Sequence, residues 1–488
     1  MERYHKILII IFLITLGFRL FFVFQTPHFS TDDAYFELRH TNEINQNFKP
    51  LFNDELSYGG RFSLVSPLYH YFLAGFNLFL PKDLAFKLIP EILLAALVFI
   101  IFFIAQTITK NTTAALLSAL MGGFIPILIT ETLNSISIYS VVLVLLFYVI
   151  YCLLNLNAHI NKFIILAFVL PLFHPFGFVL SFALLIYILL LSIESIKINQ
   201  LTKEAVIFFV FVGILINLII YKKAFLSFGL LAVWQNLPNE ILMNFFKNVN
   251  ILDLIYGVGV LPLILGIMGF FFGLFKEKKN TIYLLGALIL TMFILLFLRL
   301  ITFSVGVMFL GLLLTIMSAL ALDKITSYIK LTKFNKYKKQ IFALFLILII
   351  FSLMLPSFFN AKVVLENTIS EEEVNTLKWI GYNTPKDKTV LSSVEEGNYI
   401  TAIANRKNVA DTNFLLAPDR YSDVVTIYTT ESLVIGSQLL NKYDVDYIYL
   451  SKRALDLYNT NDIKYIEDEN CFKKLYGTEK TRVYKFIC

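Results

Sequence analysis

Asp32 and Asp33 stand side by side directly after the first long apolar run, in Thr26-Pro-His-Phe-Ser-Thr-Asp-Asp-Ala-Tyr35. A carboxylate can accept the proton of an attacking hydroxyl as a general base, or ligate a divalent cation such as Mg or Mn. An acidic pair at the mouth of the first loop of a many-span chain puts such chemistry at the membrane face. Two carboxylates in a wet loop can equally be solvated and idle. Glu131, in Ile129-Thr-Glu-Thr-Leu-Asn-Ser135 at the outer end of the third apolar span, is a second carboxylate source. With Asp33 it makes a candidate pair of cation ligands. Arg299 interrupts a long apolar stretch, and a charge there usually has a reason. A guanidinium at the outer face could grip a lipid phosphate bidentately, or snorkel as an interface anchor. His174 lies at an outer turn between Pro171 and Pro175, where a structural role competes with substrate binding.

The elements that must carry these residues are membrane spans. The chain has 488 residues, 58% of them hydrophobic, with a mean hydropathy of +0.73. An ordinary soluble core does not need that much apolar side chain. A helix crosses the hydrocarbon with roughly 20 apolar residues. Spans are predicted near 7–25, 84–106, 112–130, 137–154, 163–173, 176–192, 205–221, 254–275, 281–298, 300–322 and 341–358, about eleven in all. The first is too long for a signal-peptide core and lacks a small-residue cleavage site, so it reads as retained. Arg19, Lys87 and Glu91 lie in or near spans, where helix pairing or snorkelling is the default.

Lysines orient the chain. With the N-terminus inside, one set of loops collects Arg3, Lys6, Lys110, Lys162, Lys197, Lys203, Lys276, Lys278 and Lys279, and 323–340 adds six more. The short connections 131–136 and 174–175 carry none, which is the positive-inside pattern. An odd span count puts the C-terminus outside. The expected organisation is a catalytic membrane domain over 1–358, with an external first loop 26–83, followed by an extracytoplasmic α/β domain over 359–488. From Phe359 charges become dense, with 16 Lys/Arg against 19 Asp/Glu. A helix is predicted from Ser370 to Ile380 and another over Ser432–Lys442. Strands are predicted at Thr389–Val394, Asp446–Leu450 and Arg482–Ile487. Ser66–Leu80 reads as an aromatic helix lying in the interface, and 224–252 as a second outer segment. Cys152 reads as a packing residue. Cys471 and Cys488 flank a predicted hairpin with its turn near Gly477–Lys480, where a bridge and two free thiols both fit. The net charge of +6 follows from the lysine loops facing anionic lipid. No basic-aromatic patch or glycine-rich phosphate loop speaks for nucleic acid or nucleoside triphosphate.

At these residues the chain resembles the GT-C superfamily of polytopic glycosyltransferases, which includes protein mannosyltransferases, aminoarabinose transferases and oligosaccharyltransferase catalytic subunits. Thr31-Asp-Asp-Ala-Tyr-Phe-Glu-Leu-Arg39 is similar to the acidic first-loop motif, and Ser66-Pro-Leu-Tyr-His-Tyr-Phe-Leu-Ala74 to the proline-aromatic segment after it. Phe86–Pro90, Lys110–Leu120 and Ile125-Pro126 resemble the mannosyltransferase-like pattern of spans two and three. Leu298–Phe303 resembles the late-span arginine segment that contacts lipid phosphate, and Glu396–Asp411 the external domain of archaeal oligosaccharyltransferases. The resemblance implies an α-helical polytopic membrane fold with a C-terminal α/β domain. It also implies sugar transfer from a polyprenyl- or dolichyl-phosphate donor to an acceptor glycan, lipid or protein. Asp32 or Asp33 would be the base, Arg299, Arg39 and His174 would bind substrate, and Asp33 with Glu131 would hold a cation. The Trp-Trp-Asp-Tyr-Gly acceptor-reading motif is absent, with Val394-Glu-Glu-Gly-Asn-Tyr399 in the comparable place. No clear Thr-Ile-x-Glu-type motif appears in 224–252, where Glu240 is the only acid. Transfer of a monosaccharide fits this pattern better than transfer of a whole oligosaccharide. The rival classes are a transporter, which would usually show two repeated halves, and a flippase-like or scaffolding protein without catalysis.

Overall fold

The computed structural model of the chain describes residues 2–234, 250–277, 279–413 and 419–488. Glu240 and the greater part of the outer segment predicted at 224–252 lie outside the described residues. The chain divides into two compact units.

The first unit comprises Met1–Thr26, Pro81–Lys222 and Phe245–Glu366, and it is helical. Among the described residues nine helices are long and apolar enough to cross a membrane. The prediction of about eleven spans met two further helices that fall short for physical reasons. The segment 112–130 is broken into two helices bent by 42°, because Pro126 opens the second and holds Ile125 extended before it. The segment 137–154 forms a 16-residue helix, Tyr139–Leu154. Helix 156–173 starts earlier than expected and carries Pro171 in its last turn. The predicted span 254–275 divides at Gly259, whose φ of +88° suits glycine and whose Cβ would meet Leu353 at 2.4 Å. Helix Phe303–Leu331 is the axis of the unit, with all of its most apolar window buried, as expected of a helix apolar all round. Gly266 and Gly269 let a neighbouring helix lie directly on it. A Cβ there would come within 2.5 Å of the Leu314 carbonyl and 2.0 Å of that of Met317. Cys152 is fully buried among these helices and unpaired.

Six helices carry the acidic candidates and their surroundings: α1 (Glu2–Val23), α2 (Asp32–Asn47), α3 (Leu68–Phe76), α4 (Lys82–Thr109), and the kinked pair α5 (Thr112–Gly123) and α6 (Pro126–Thr132). Of these, α2 and α3 belong to the second unit.

The second unit joins Pro27–Leu80 and Lys223–Asn244 to Asn367–Cys488, so the first loop and the C-terminal segment make one body. Between α2 and α3 runs a small hairpin of β1 (Asn53–Asp54) and β2 (Arg61–Phe62). The C-terminal segment forms a five-stranded sheet of β3 (Thr389–Leu391), β4 (Lys407–Asn408), β5 (Val445–Ser451), β6 (Phe472–Gly477) and β7 (Thr481–Phe486), in the order β4-β3-β5-β7-β6. Strand β3 runs parallel to β4 and β5, while β7 is antiparallel to β5 and β6. Helix Glu371–Asn383 starts where three acids follow an N-capping serine, and a capping box of Ser370 and Glu373 closes its first turn. Such a cap is worth about 1 kcal/mol. Cys471 and Cys488 are joined, with Cα atoms 4.9 Å apart. The bridge staples the far end of the β6–β7 hairpin, where Ile487 N–H also bonds the Cys471 carbonyl at 3.0 Å.

Candidate active site

The acidic pair opens α2. Thr31 is extended, and its hydroxyl accepts the Ala34 N–H at 3.3 Å as an N-cap. Asp32 and Asp33 therefore occupy the first turn, where the positive end of the helix favours carboxylates. Adjacent positions on a helix point about 100° apart, and the two side chains meet different surroundings. Asp32 turns inward and is 6% exposed. Its Oδ2 accepts the Asn398 side-chain amide at 2.6 Å and its Oδ1 the Tyr399 N–H at 3.0 Å. Burial, then the Asp33 charge, holds its carboxyl well above the usual range, against the two donors, which pull it down. Asp33 stays open to solvent and accepts a hydrogen bond from the Thr412 hydroxyl. The protein atoms crowding it raise its carboxyl too, opposed by Thr412 and assisted by the Glu37 and Asp411 charges.

Asn398 Nδ2 lies 3.2 Å from Thr412 Oγ1, so one amide links the partners of both acids. Beneath them sits Asp411, fully buried. Its Oδ2 accepts Ser57 Oγ at 2.6 Å and Asn408 Nδ2 at 3.1 Å. Its Oδ1 accepts Arg61 Nη2 at 3.1 Å and the Asn413 N–H at 3.0 Å. Tyr58 has left-handed backbone, with φ +53°. Its N–H donates to Asn408 Oδ1 at 2.6 Å and its hydroxyl to the Asp411 carbonyl at 2.7 Å. The same contacts that carry this strain tie residues 54–61 to 397–413.

Arg39 is paired with buried Asp54, whose Oδ1 also takes the Leu56 and Ser57 N–H groups at 3.0 and 3.1 Å. Burial brings its guanidinium down to about 10. Glu37, one turn beyond Asp33, meets His70 Nε2 of α3 at 2.7 Å. The His40 ring stacks 5.0 Å from His70, and burial keeps His40 neutral by pushing it well below its usual range.

The other candidates belong to the first unit. Glu131 is half-buried in the last turn of α6. His174 is the extended residue between helices 156–173 and 176–193. Its Nδ1 accepts the Phe176 N–H at 3.3 Å, leaving Nε2 to carry the proton. Arg299 ends helix Asn280–Phe297 with φ +54°. Its N–H bonds the Leu296 carbonyl at 3.1 Å, and the Leu300 N–H reaches the Leu295 carbonyl at 2.9 Å. That is the Schellman pattern, which favours glycine at this position. An arginine held there costs on the order of 1 kcal/mol, so the fold keeps a guanidinium at the price of backbone strain. Among the described residues no three His, Cys, Asp or Glu side chains gather as a cation cage.

The residues missed in the sequence are Asn398, Tyr399, Thr412 and Asp411. The Asn398–Asp32 bond spans 366 positions, and no local pattern announces it.

No family model and no curated protein matches the sequence. Among solved structures, the archaeal oligosaccharyltransferase AglB from Archaeoglobus fulgidus, in complex with an inhibitory peptide and a dolichol-phosphate, matches with a TM-score of 0.73 at 13% identity, covering 99% of this chain and 74% of that one. The A. fulgidus oligosaccharyltransferase in complex with Zn and sulfate gives 0.63 at 14%, covering 98% and 72%. ArnT from Cupriavidus metallidurans bound to undecaprenyl phosphate gives 0.56 at 10%, covering 100% and 98%. The chain shares the fold of these structures, a polytopic bundle of apolar helices followed by a C-terminal α/β segment.

Proposed function

We propose that the chain transfers a sugar from a polyprenyl- or dolichyl-phosphate donor to an acceptor hydroxyl on the extracytoplasmic side. The observation that carries this reading is the division of labour at the start of α2. Asp32 has both oxygens committed to Asn398 and Tyr399, whereas Asp33 faces solvent and accepts a hydrogen bond from the Thr412 hydroxyl. A carboxylate that is oriented, open, and raised toward neutrality suits general-base work. Asp33 takes the acceptor hydroxyl proton as that oxygen bonds to the anomeric carbon. The bond from that carbon to the phosphate oxygen breaks, and the lipid phosphate leaves with the electron pair. Arg299 neutralises the departing phosphate. Arg39 would have to release Asp54, and His174 offers Nε2 alone, so both rank behind Arg299 as substrate groups.

The neighbours' dolichol-phosphate and undecaprenyl phosphate fit this donor class. A second reading, glycan transfer to protein, is favoured by the higher TM-score with the archaeal oligosaccharyltransferase than with ArnT. Proteoliposomes given polyprenyl-phosphate-[14C]hexose or -pentose, or a polyprenyl-pyrophosphate oligosaccharide with acceptor peptide, separate the two. Label moving from the monophosphate lipids supports the first reading, and label reaching peptide supports the second. No transfer from any donor sinks both and returns the chain to the transporter class. Adding EDTA distinguishes two duties for Asp33. A base alone keeps working, whereas a carboxylate that also holds a divalent cation makes turnover chelator-sensitive.

A further inference from the structure

Arg19 on α1 and Glu91 on α4 are each 1% exposed, inside an apolar bundle. Arg19 Nε meets Glu91 Oε2 at 2.5 Å, and its Nη2 donates to Thr132 Oγ1 at 2.9 Å. The second carboxylate oxygen serves a different purpose. Glu91 Oε1 accepts the backbone N–H of Asn134 at 2.8 Å. Asn134 and Ile136 both have left-handed backbone, with φ +56° and +48°, so the turn after α6 is held in a conformation that non-glycine residues avoid. Asn134 and Ser135 are buried there, and Ser135 Oγ reaches the Glu131 carbonyl at 3.4 Å. One turn before Glu91 on the same face of α4, Lys87 Nζ donates to the Val23 carbonyl at 2.9 Å and to that of Thr26. A single face of α4 thus fixes both the end of α1 and the turn that follows α6.

A buried ion pair is a poor way to stabilise a fold, since apolar side chains of the same volume do as well or better. Such pairs repay their desolvation when they fix one arrangement among several. We propose that Glu91 and Arg19 are positioning residues that hold the turn 133–137 and, through it, set the place of Glu131. This rests on the reading of Glu131 as a group of the transfer site.

Two measurements test it, one of them independent of activity. The native cysteines are buried or bridged, so Ser135→Cys gives a single reporter thiol. In an otherwise parental chain it reacts slowly with N-ethylmaleimide. Adding Glu91→Ala removes the carboxylate that accepts the Asn134 N–H, and labelling accelerates several-fold. Glu91→Gln keeps an acceptor oxygen for that N–H and keeps labelling slow. Equally slow labelling in Glu91→Ala protein that elutes as a single species overturns the proposal. The second measurement is a double-mutant cycle on sugar transfer from undecaprenyl-phosphate-hexose. If Glu91 acts through Glu131, Glu91→Ala lowers turnover in the parent but little further in Glu131→Gln. Losses that multiply overturn it. A parent that transfers no sugar refutes the transfer reading alone, and the thiol measurement still decides the positioning role.

Discussion

Replacing Asp33 and Asp32 separately by Asn should give two different phenotypes. Asp33→Asn keeps size and polarity and removes the base. General-base assistance is worth about 100- to 10,000-fold, or roughly 3 to 5 kcal/mol of barrier. Turnover should fall by that factor while the apparent affinity for the lipid donor holds. Asp32→Asn disturbs something else. Its amide oxygen can still accept the Tyr399 N–H, but its NH2 would confront that of Asn398. An unpaired buried donor costs about 1–3 kcal/mol. Against this stands the burial that raises the Asp32 carboxyl. A carboxyl raised in the folded state stabilises the fold most when protonated, and that contribution is lost as pH rises through the folded value. Asparagine carries no charge to desolvate, so at neutral pH the variant recovers part of what the unpaired donor loses. On acidification from neutral pH the parent should gain stability relative to Asp32→Asn. Turnover of Asp32→Asn should fall only about tenfold, the size of a modest misplacement, as Asn398 and Thr412 shift beside Asp33. Transfer in proteoliposomes and urea unfolding at several pH values read both effects. Parental turnover in Asp33→Asn with an inactive Asp32→Asn would reverse the assignment. Parental turnover in both variants and in the double variant would remove the acidic pair from the chemistry.

Because the Asp33 carboxyl is raised, the acid limb of kcat/KM should lie above the ordinary carboxylate range, with rate lost as pH falls through it and the limb absent in Asp33→Asn. Arg299→Gly should relieve the left-handed strain and stabilise by about 1 kcal/mol while weakening donor binding, and Arg299→Lys should restore binding only in part. A snorkelling anchor would show the gain in stability without the loss of binding. Membrane-impermeant maleimide should modify a cysteine placed at Asn459 but not one placed at Lys333 in intact cells. The opposite pattern would invert the lysine-based topology.

The helices of the first unit were legible because apolar length is a local signal. Where the reading slipped, a local backbone feature intervened. Pro126 bends 112–130 and Gly259 divides 254–275. The C-terminal secondary structure was legible for a similar reason, since Ser370 and Ser432 cap the predicted helices and β-rich runs became β3, β5 and β7. The strand β4 went unread because it is two residues long and formed by pairing rather than by propensity. Arg39 shows the same limit in the site. Charge and motif position suggested a substrate group, but its partner Asp54 is on the hairpin, which sequence spacing does not bring near. The pairing of Cys471 with Cys488 was open in the sequence because hairpin spacing permits a bridge without requiring it.

The acidic pair is encoded within the first 33 residues, yet its orientation is supplied by residues near 400. Asn398 and Tyr399 hold Asp32, Thr412 holds Asp33, and Asp411 binds Ser57, Arg61 and Asn408 into one buried knot. Closing a loop of this length costs entropy that grows only slowly with length, so the contact order is affordable at equilibrium. It is a kinetic matter instead, since long-range pairings form late. Until the C-terminal segment has been synthesised and folded, α2 lacks the partners that point Asp32 inward and Asp33 outward. Residues 27–80 also lack a sheet of more than two strands of their own, which is marginal alone. The oriented acidic pair is therefore assembled by the same event that completes the second unit, and a chain shortened before Asn398 would carry both aspartates without the means to distinguish them.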